Sequence, residues 1–399
     1  MERFENVIVG GGLASYLPLG TEDLGTKGES MRYQNVIIGG GLAGGMVAQE
    51  YREQGGDGSV VIVAREAHVP YHRPPLTKEY LRGEKPEDEV YMHPAEWWQS
   101  NEVEVRTGVS ATALDLGARS IALSDGEAVE YERLVLATGA TPRTLPGAGS
   151  IRTIDDSSAL AQRLAESTGH LGVIGGGFIG VEAAASARMK GWEVTMAVPE
   201  SVVWEHLFGA EVAVYFQRHL EEHGVNVHTG TSELPAGDYT LKLAGIGVTP
   251  NTELAEAAGL TVDNGVHVDE HLRATDDVWA IGDIAAYQSV VHNRRLRIEH
   301  WDVALNQGGY VGRTWAGKET GKYTTVPYFF SDIGDWTWFE YVGPGSGRVD
   351  IRGSMADDDF VAYYLDGDDK VTACLGVNRS DDVNEAKELI ASHSGAPVA

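Results

Sequence analysis

The feature that most constrains this chain is a short apolar run entering a glycine-rich turn, and the chain writes it three times. The phrases are "VIVGGGLASYLP" from Val7, "VIIGGGLAGGMV" from Val36 and "VIGGGFIGVEAA" from Val173. In a strand–turn–helix of this kind each glycine has its own reason. The first allows the sharp bend, the second lets a pyrophosphate approach the backbone, and the third lets helix pack on strand. The copy at Gly39, Gly41 and Gly44 meets all three needs, with Ala43 between. It continues into an amphipathic stretch and a second strand, "SVVIVARE", whose terminal Glu66 is placed to accept hydrogen bonds from a ribose. The copy at Gly175, Gly177 and Gly180 is equally complete, with the helix "VEAAASARMKG" and the strand "WEVTMAV". The first copy has Gly10 and Gly12 but Ser15 in the third place, and Pro18 where a helix should run. Residues 1–30 therefore read as an N-terminal extension echoing the first strand, as an upstream start codon would produce, or else as an extra edge strand, with no nucleotide site on either reading. Two nucleotides and one decoy are expected.

Composition narrows the setting. At 399 residues the chain suits two or three domains. Its single cysteine, Cys374, excludes an internal disulfide, a Cys-x-x-Cys pair and a cysteine–histidine metal site. Any redox chemistry then belongs to a bound cofactor, and no metal site is expected. Cys374 itself reads as a small apolar residue in the strand "KVTACLGV". Asp and Glu number 59 against 31 Lys and Arg, a net charge of −28, which argues against nucleic acid or an anionic membrane as partner. An acidic surface with few lysines also suits a high-salt cytoplasm. Neither a membrane-spanning apolar run nor a signal peptide is seen, so the expected location is cytoplasmic.

Two complete units in one chain point to FAD plus a nicotinamide nucleotide. "YERLVLATGATPR" (131–143) is a strand returning beside the first unit, and "DDVWAIGDIAAY" delivers Gly282 and Asp283 at a strand end. The chain resembles the FAD-dependent pyridine-nucleotide reductases, within them the oxygenase-coupled ferredoxin and rubredoxin reductases and apoptosis-inducing factor. The carrying phrases are "GGGLAG" (39–44), "YHRPPLTKEYL" (71–81), "LATGATPR" (136–143) and "GGGFIGVEAA" (175–184). "GIGVTPNTELAEAAGL" (245–260), "IGDIA" (281–285), "EHWDVALNQG" (299–308) and "PYFFSDIGDWTWFEYVG" (327–343) follow in the family's order.

The resemblance implies an α/β protein with two doubly wound, three-layer nucleotide-binding domains and a C-terminal α+β domain. An FAD domain at 31–145 and 265–318 would be split by an NAD domain at 146–264, and 319–399 would close the flavin's side. It places Lys78 near the flavin, facing Glu182 on the nicotinamide-side helix, with Trp301 beside the ring as the third catalytic residue. A lysine there stabilises negative charge on the reduced ring, and the glutamate keeps it positioned. FAD contacts are implied for Gly39, Gly41, Ala43, Gly44, Glu66, Arg73, Val109, Ala137, Thr138, Gly139, Arg143, Gly282, Asp283 and Phe330. Arg73 and Arg143 are implied at the FAD, a role at its pyrophosphate being open, and Val109 at the adenine through its backbone. NAD contacts are implied for Gly175, Gly177, Ile179, Gly180, Glu182, Glu200, Gly247, Glu299 and His300. In "MAVPES" Val198 stands where many relatives place an acid, with Glu200 two residues on and no arginine nearby, which favours NADH over NADPH.

The expected activity passes electrons from NADH through FAD to a small iron–sulfur or rubredoxin-type carrier, with homodimer formation left open. An apoptosis-inducing-factor-like redox-gated binding protein is the alternative, and an NADH oxidase using oxygen or a quinone is a third. "VHNRRLRIEH" (291–300) is the densest basic stretch and reads either as a charged hairpin or as a docking site for an acidic carrier. Two departures from the family stand out. The nicotinamide domain is short between "VNVHTGTS" and "LAGIGV", as if lacking a hairpin or small meander, and a glutamine common after Ser331-Asp332 is absent.

Overall fold

A computed structural model describes residues 31–397; the expectation for residues 1–30 lies outside the described residues. β1 (Met31–Ile38), α1 (Leu42–Glu53) and β2 (Val60–Ala64) form the first strand–turn–helix–strand unit. All five residues of β2 are buried, as in a parallel strand covered on both faces. β3 (Val103–Thr107) lies outside β2, and β6 (Ala128–Leu136) lies on the other side of β1. The antiparallel pair β4 (Ala111–Asp115) and β5 (Ser120–Leu123) continues from the first half of β6. The second half of β6 pairs instead with Val278–Ala280, so the chain leaves this sheet and rejoins it 142 positions later (278 against 136).

Between these points it builds a second parallel sheet from β7 (His170–Ile174), β8 (Glu193–Val198), β9 (Val225–Thr229) and β10 (Leu241–Ala244), ordered β9-β8-β7-β10. Helix α2 (Phe178–Met189) leaves the glycine turn after β7. No strand is formed between Thr229 and Leu241, and β10 pairs with β7 on the edge away from β8. The hairpin or small meander whose absence the sequence suggests is not formed in this segment. The two crossings between sheets run side by side: Ala140–Pro142 pairs antiparallel with Val248–Pro250, and Asn251 bonds Thr138 and Thr141.

After the return, α3 (Trp301–Trp315) packs against α1. The approach is close enough that a Cβ on Gly308 would lie 2.5 Å from the Ala43 carbonyl oxygen, and one on Gly312 2.8 Å from that of Val47. The remaining chain forms an antiparallel sheet of β11 (Tyr328–Ile333), β12 (Thr337–Val342), β13 (Arg348–Ser354), β14 (Asp359–Leu365) and β15 (Val371–Val377). Its order is β11-β12-β15-β14-β13, and α4 (Ser380–Ala391) lies on it. An aromatic cluster including Trp204, Phe208, Phe216 and Phe339 joins this sheet to the second unit in one continuous core. That continuity sets β11 against α2 and fixes the geometry of the site.

Candidate active site

The strand ends of the first sheet, the start of α2, the start of α3 and β11 converge on one cavity of about 780 Å³. Its wall begins with the first glycine turn. Gly39 has φ +123° and a Cβ there would meet the Ala137 carbonyl oxygen at 2.0 Å, so only glycine fits. A Cβ on Gly44 would meet the Gly39 carbonyl oxygen at 2.1 Å, which is the close helix-to-strand approach the sequence called for. Beside Gly41 the space is open to 4 Å. The backbone amides at the start of α1 therefore face the cavity with no side chain in the way, as a phosphate requires.

A chain of polar groups runs along the same wall. Arg73 pairs with Glu66 at 2.8 Å, and the Tyr71 hydroxyl donates to the other Glu66 oxygen at 2.5 Å. Burial would raise the Glu66 carboxyl, but Arg73, the Tyr71 hydroxyl and Arg152 together outweigh it and hold the acid below the usual range. Arg73 also donates to the backbone carbonyl of Arg152, and the Arg152 guanidinium pairs with Asp283 at 2.7 Å. Arg152 sits where it does because the helix Ile154–Glu166 opens with a capping box. Asp156 accepts from the Arg152 and Thr153 amides while Thr153 accepts from Asp156. The Gly282–Asp283 turn is held by the fully buried Gln307 of α3, which accepts from the Gly282 amide at 2.8 Å.

Further along, Lys78 is 4% exposed and its ammonium contacts Glu182 of α2 at 3.4 Å and Asp332 of β11 at 3.2 Å. Burial alone would lower this lysine; the two carboxylates outweigh it and hold the ammonium above its ordinary value. Glu182 has further partners, accepting from Thr77 at 2.5 Å and Ser331 at 2.6 Å. The Phe330 ring lies 5.0 Å from the Lys78 nitrogen, and Trp301 meets that ring edge-on at 6.3 Å. The Trp301 indole donates to His72 Nδ1 at 3.1 Å. Beside it His300 is pushed by burial down to about 4 and is neutral at pH 7.

Of the residues singled out in the sequence, Gly39, Gly41, Ala43, Glu66, Arg73, Lys78, Val109, Ala137, Thr138, Gly139, Ile179, Glu182, Gly282, Asp283, Glu299, His300, Trp301 and Phe330 all line this cavity. Arg143 does not: it is exposed, because the Ala140–Pro142 crossing carries the chain off the first sheet before position 143. Its amide bonds the carbonyl of Gly247, so both residues belong to the crossing. Arg152 lines the wall instead; the capping pattern Thr153–Asp156 was the available signal. Asp332 was missed as well, since a single acid after a serine carries no mark of its partner. The Val109 amide is spent on the Ala64 carbonyl, which leaves its carbonyl for a ligand. Gly175, Gly177 and Gly180 lie outside the cavity wall, in the second turn, where a Cβ on Gly175 would meet the Gly245 carbonyl oxygen at 2.4 Å. Glu200 lies just past β8 and pairs with His206 at 2.9 Å. Among the basic stretch, Arg294, Arg295 and Arg297 donate to backbone carbonyls of Pro344, of Val268 and Ala286, and of Asp283. Those bonds favour the charged-hairpin reading of that segment.

Two glycine-turn units beside a cavity whose wall carries a buried lysine–carboxylate cluster define a class: an oxidoreductase that brings two nucleotides together. The chain belongs to the pyridine nucleotide-disulphide oxidoreductase family, whose pattern matches residues 33–234 and 236–308. It is 35% identical to the putidaredoxin reductase of Pseudomonas putida over 87% of this chain and 89% of that one. It is 33% identical to the ferredoxin–NAD(+) reductase component of an anthranilate 1,2-dioxygenase system from Burkholderia cepacia, over 86% and 91%. A crystal structure of a covalent putidaredoxin reductase–putidaredoxin complex superposes with a TM-score of 0.84 at 34% identity, covering 90% of this chain and 93% of that one. The protein is an FAD-dependent oxidoreductase that uses NAD(H).

The wall fits an FAD on its own evidence. Gly41 leaves a cradle a side chain would fill, and Arg152 Nε and His300 Nδ1 are buried at the wall without a hydrogen-bond partner. Cys374 is fully buried in β15, and no cysteine is among the described residues lining the cavity. Among the described residues no helix is long and apolar enough to cross a membrane.

Proposed function

We propose that this protein is a cytoplasmic NADH-dependent reductase of a small one-electron carrier of the ferredoxin or rubredoxin kind. The observation that carries the reading is a cavity wall with a buried, charged lysine and no sulfur. Electrons that enter there have no protein dithiol to receive them, so they leave to an external acceptor. Likeness over most of both chains to reductases named for putidaredoxin and for a dioxygenase ferredoxin supports a carrier as that acceptor.

On this reading residues 31–145 and 265–318 hold FAD, 146–264 hold the nicotinamide nucleotide, and 319–399 close the site. A bound FAD would supply the conversion of a two-electron donor into single electrons. The Gly39–Gly44 turn presents amides to the pyrophosphate, and Glu66, fixed by Arg73 and Tyr71, accepts from the ribose. Arg152 and Asp283 face the linking chain, with the Arg152 Nε free to donate. Lys78 keeps a positive charge beside the ring that becomes electron-rich, while Glu182 limits its movement. Trp301, Phe330 and Ile179 exclude water at the meeting of the two nucleotides. Gly175, Gly177 and Gly180 present the second turn to the nicotinamide nucleotide, and Glu200 repels a 2′-phosphate.

Anaerobic stopped-flow mixing tests the reading. NADH bleaches the bound flavin faster than NADPH, and a ferredoxin or rubredoxin then restores it at a rate matching turnover. Reoxidation only by oxygen or a quinone, or by nothing tested, overturns it.

A further inference from the structure

The sequence points to Glu182 as the residue that holds Lys78, but the geometry divides that work. Glu182 is anchored without the lysine: hydroxyls of Thr77 and Ser331 donate to its two oxygens at 2.5 and 2.6 Å. Its contact to the Lys78 nitrogen is the longer of the two, 3.4 Å against 3.2 Å for Asp332. Glu182 is 7% exposed and exerts the stronger field on the ammonium, whereas the Asp332 carboxylate is the nearer of the two ion-pair partners. The ammonium has three donors in tetrahedral directions. It makes ion pairs with carboxylates on two different elements, α2 and β11, and the Phe330 ring flanks the cluster at 5.0 Å. A long flexible stem is thus held from two sides, and the second hold comes from a strand of the C-terminal sheet.

We propose that Asp332 is a positioning residue, acting through Lys78 by holding its ammonium at the cavity wall from the side of β11, opposite the anchored Glu182 of α2. Asp332 itself does not line the cavity, so it has no direct part in binding a nucleotide. The proposal rests on the reading of Lys78 as a flavin-side group. It is independent of which acceptor the protein uses.

The test uses the FAD-loaded protein and its variants D332N, D332E, K78M and the double variant K78M/D332N. Acetylation by acetic anhydride, followed peptide by peptide by mass spectrometry, reads how tightly the Lys78 amine is held, with the other lysines as internal standards. D332N raises Lys78 labelling about tenfold and leaves the other lysines within about twofold, since losing the half-buried carboxylate beside it frees the amine and lowers its proton affinity. With NADH and ferricyanide, D332N lowers kcat about tenfold with KM for NADH nearly unchanged, and D332E recovers most of the loss. In the K78M background D332N has no further effect on kcat, because the aspartate then has nothing to hold. Unchanged labelling and kcat in D332N, or an equal kcat loss in the K78M background, overturns the proposal. Should D332N fail to retain FAD, D332E and its labelling pattern decide by the same criteria. A protein that labels as expected yet reduces no carrier sinks the carrier reading and leaves this one standing.

Discussion

Single residues in the first glycine turn separate folding from binding. Gly39 and Gly41 are two positions apart, yet a Cβ at Gly39 strikes the Ala137 carbonyl at φ +123°, while one at Gly41 meets only open space. G39A is expected to cost about 3 kcal/mol or more in a urea melt and to lose the flavin. G41A keeps its circular dichroism spectrum and melting behaviour but binds FAD more weakly in a titration. His300 gives a pH prediction. Its value in the fold is about 4 against an ordinary 6.5, so the unfolded chain binds the extra proton first. The stability contributed by the neutral ring is complete above pH 6.5 and is lost as pH falls towards 4, a loss on the order of 3 kcal/mol. Denaturant midpoints from pH 7 to pH 4 check it, and H300Q flattens that slope.

At the scale of elements, the site depends on how closely α3 approaches α1. Gly308 and Gly312 let α3 rest on the α1 backbone, and α3 in turn supplies Trp301 at its start and Gln307 beneath the Gly282–Asp283 turn. G308A must push the helices apart, because its Cβ would sit 2.5 Å from the Ala43 carbonyl oxygen and 2.7 Å from the Met46 Cβ. A cost of about 2 kcal/mol is expected by urea denaturation, together with a measurable fall in flavin occupancy. Neither glycine carries this meaning in the sequence, where "NQGGYVGRTW" reads only as a helix with three poor helix formers. The two glycine turns were legible because their constraint is local: strand, bend and helix lie within one short stretch. Arg152 and Asp332 were not, since each acquires its role from a residue 131 or 254 positions away (283 − 152; 332 − 78).

For the whole molecule, a charge of −28 dominates behaviour in solution. Self-repulsion among the acids weakens the compact state at low salt and is screened at high salt. The melting temperature is therefore expected to rise by several degrees between dilute buffer and about 1 M KCl, where the Debye length falls to about 3 Å. A fall or no change, followed by differential scanning fluorimetry, would count against a repulsion-limited fold. The sequence alone determined that two nucleotide turns exist, that the chain supplies no redox cysteine pair, and that little structure separates the third and fourth strands of the second sheet. Those are properties of near neighbours along the chain and of composition. The tertiary structure decided that Arg152 rather than Arg143 lines the cavity, that Lys78 answers to Asp332 as well as Glu182, and that the basic stretch is tied to backbone carbonyls of other segments. The reason is physical: side-chain partners are chosen by the packing of distant elements, and no local spacing records that choice.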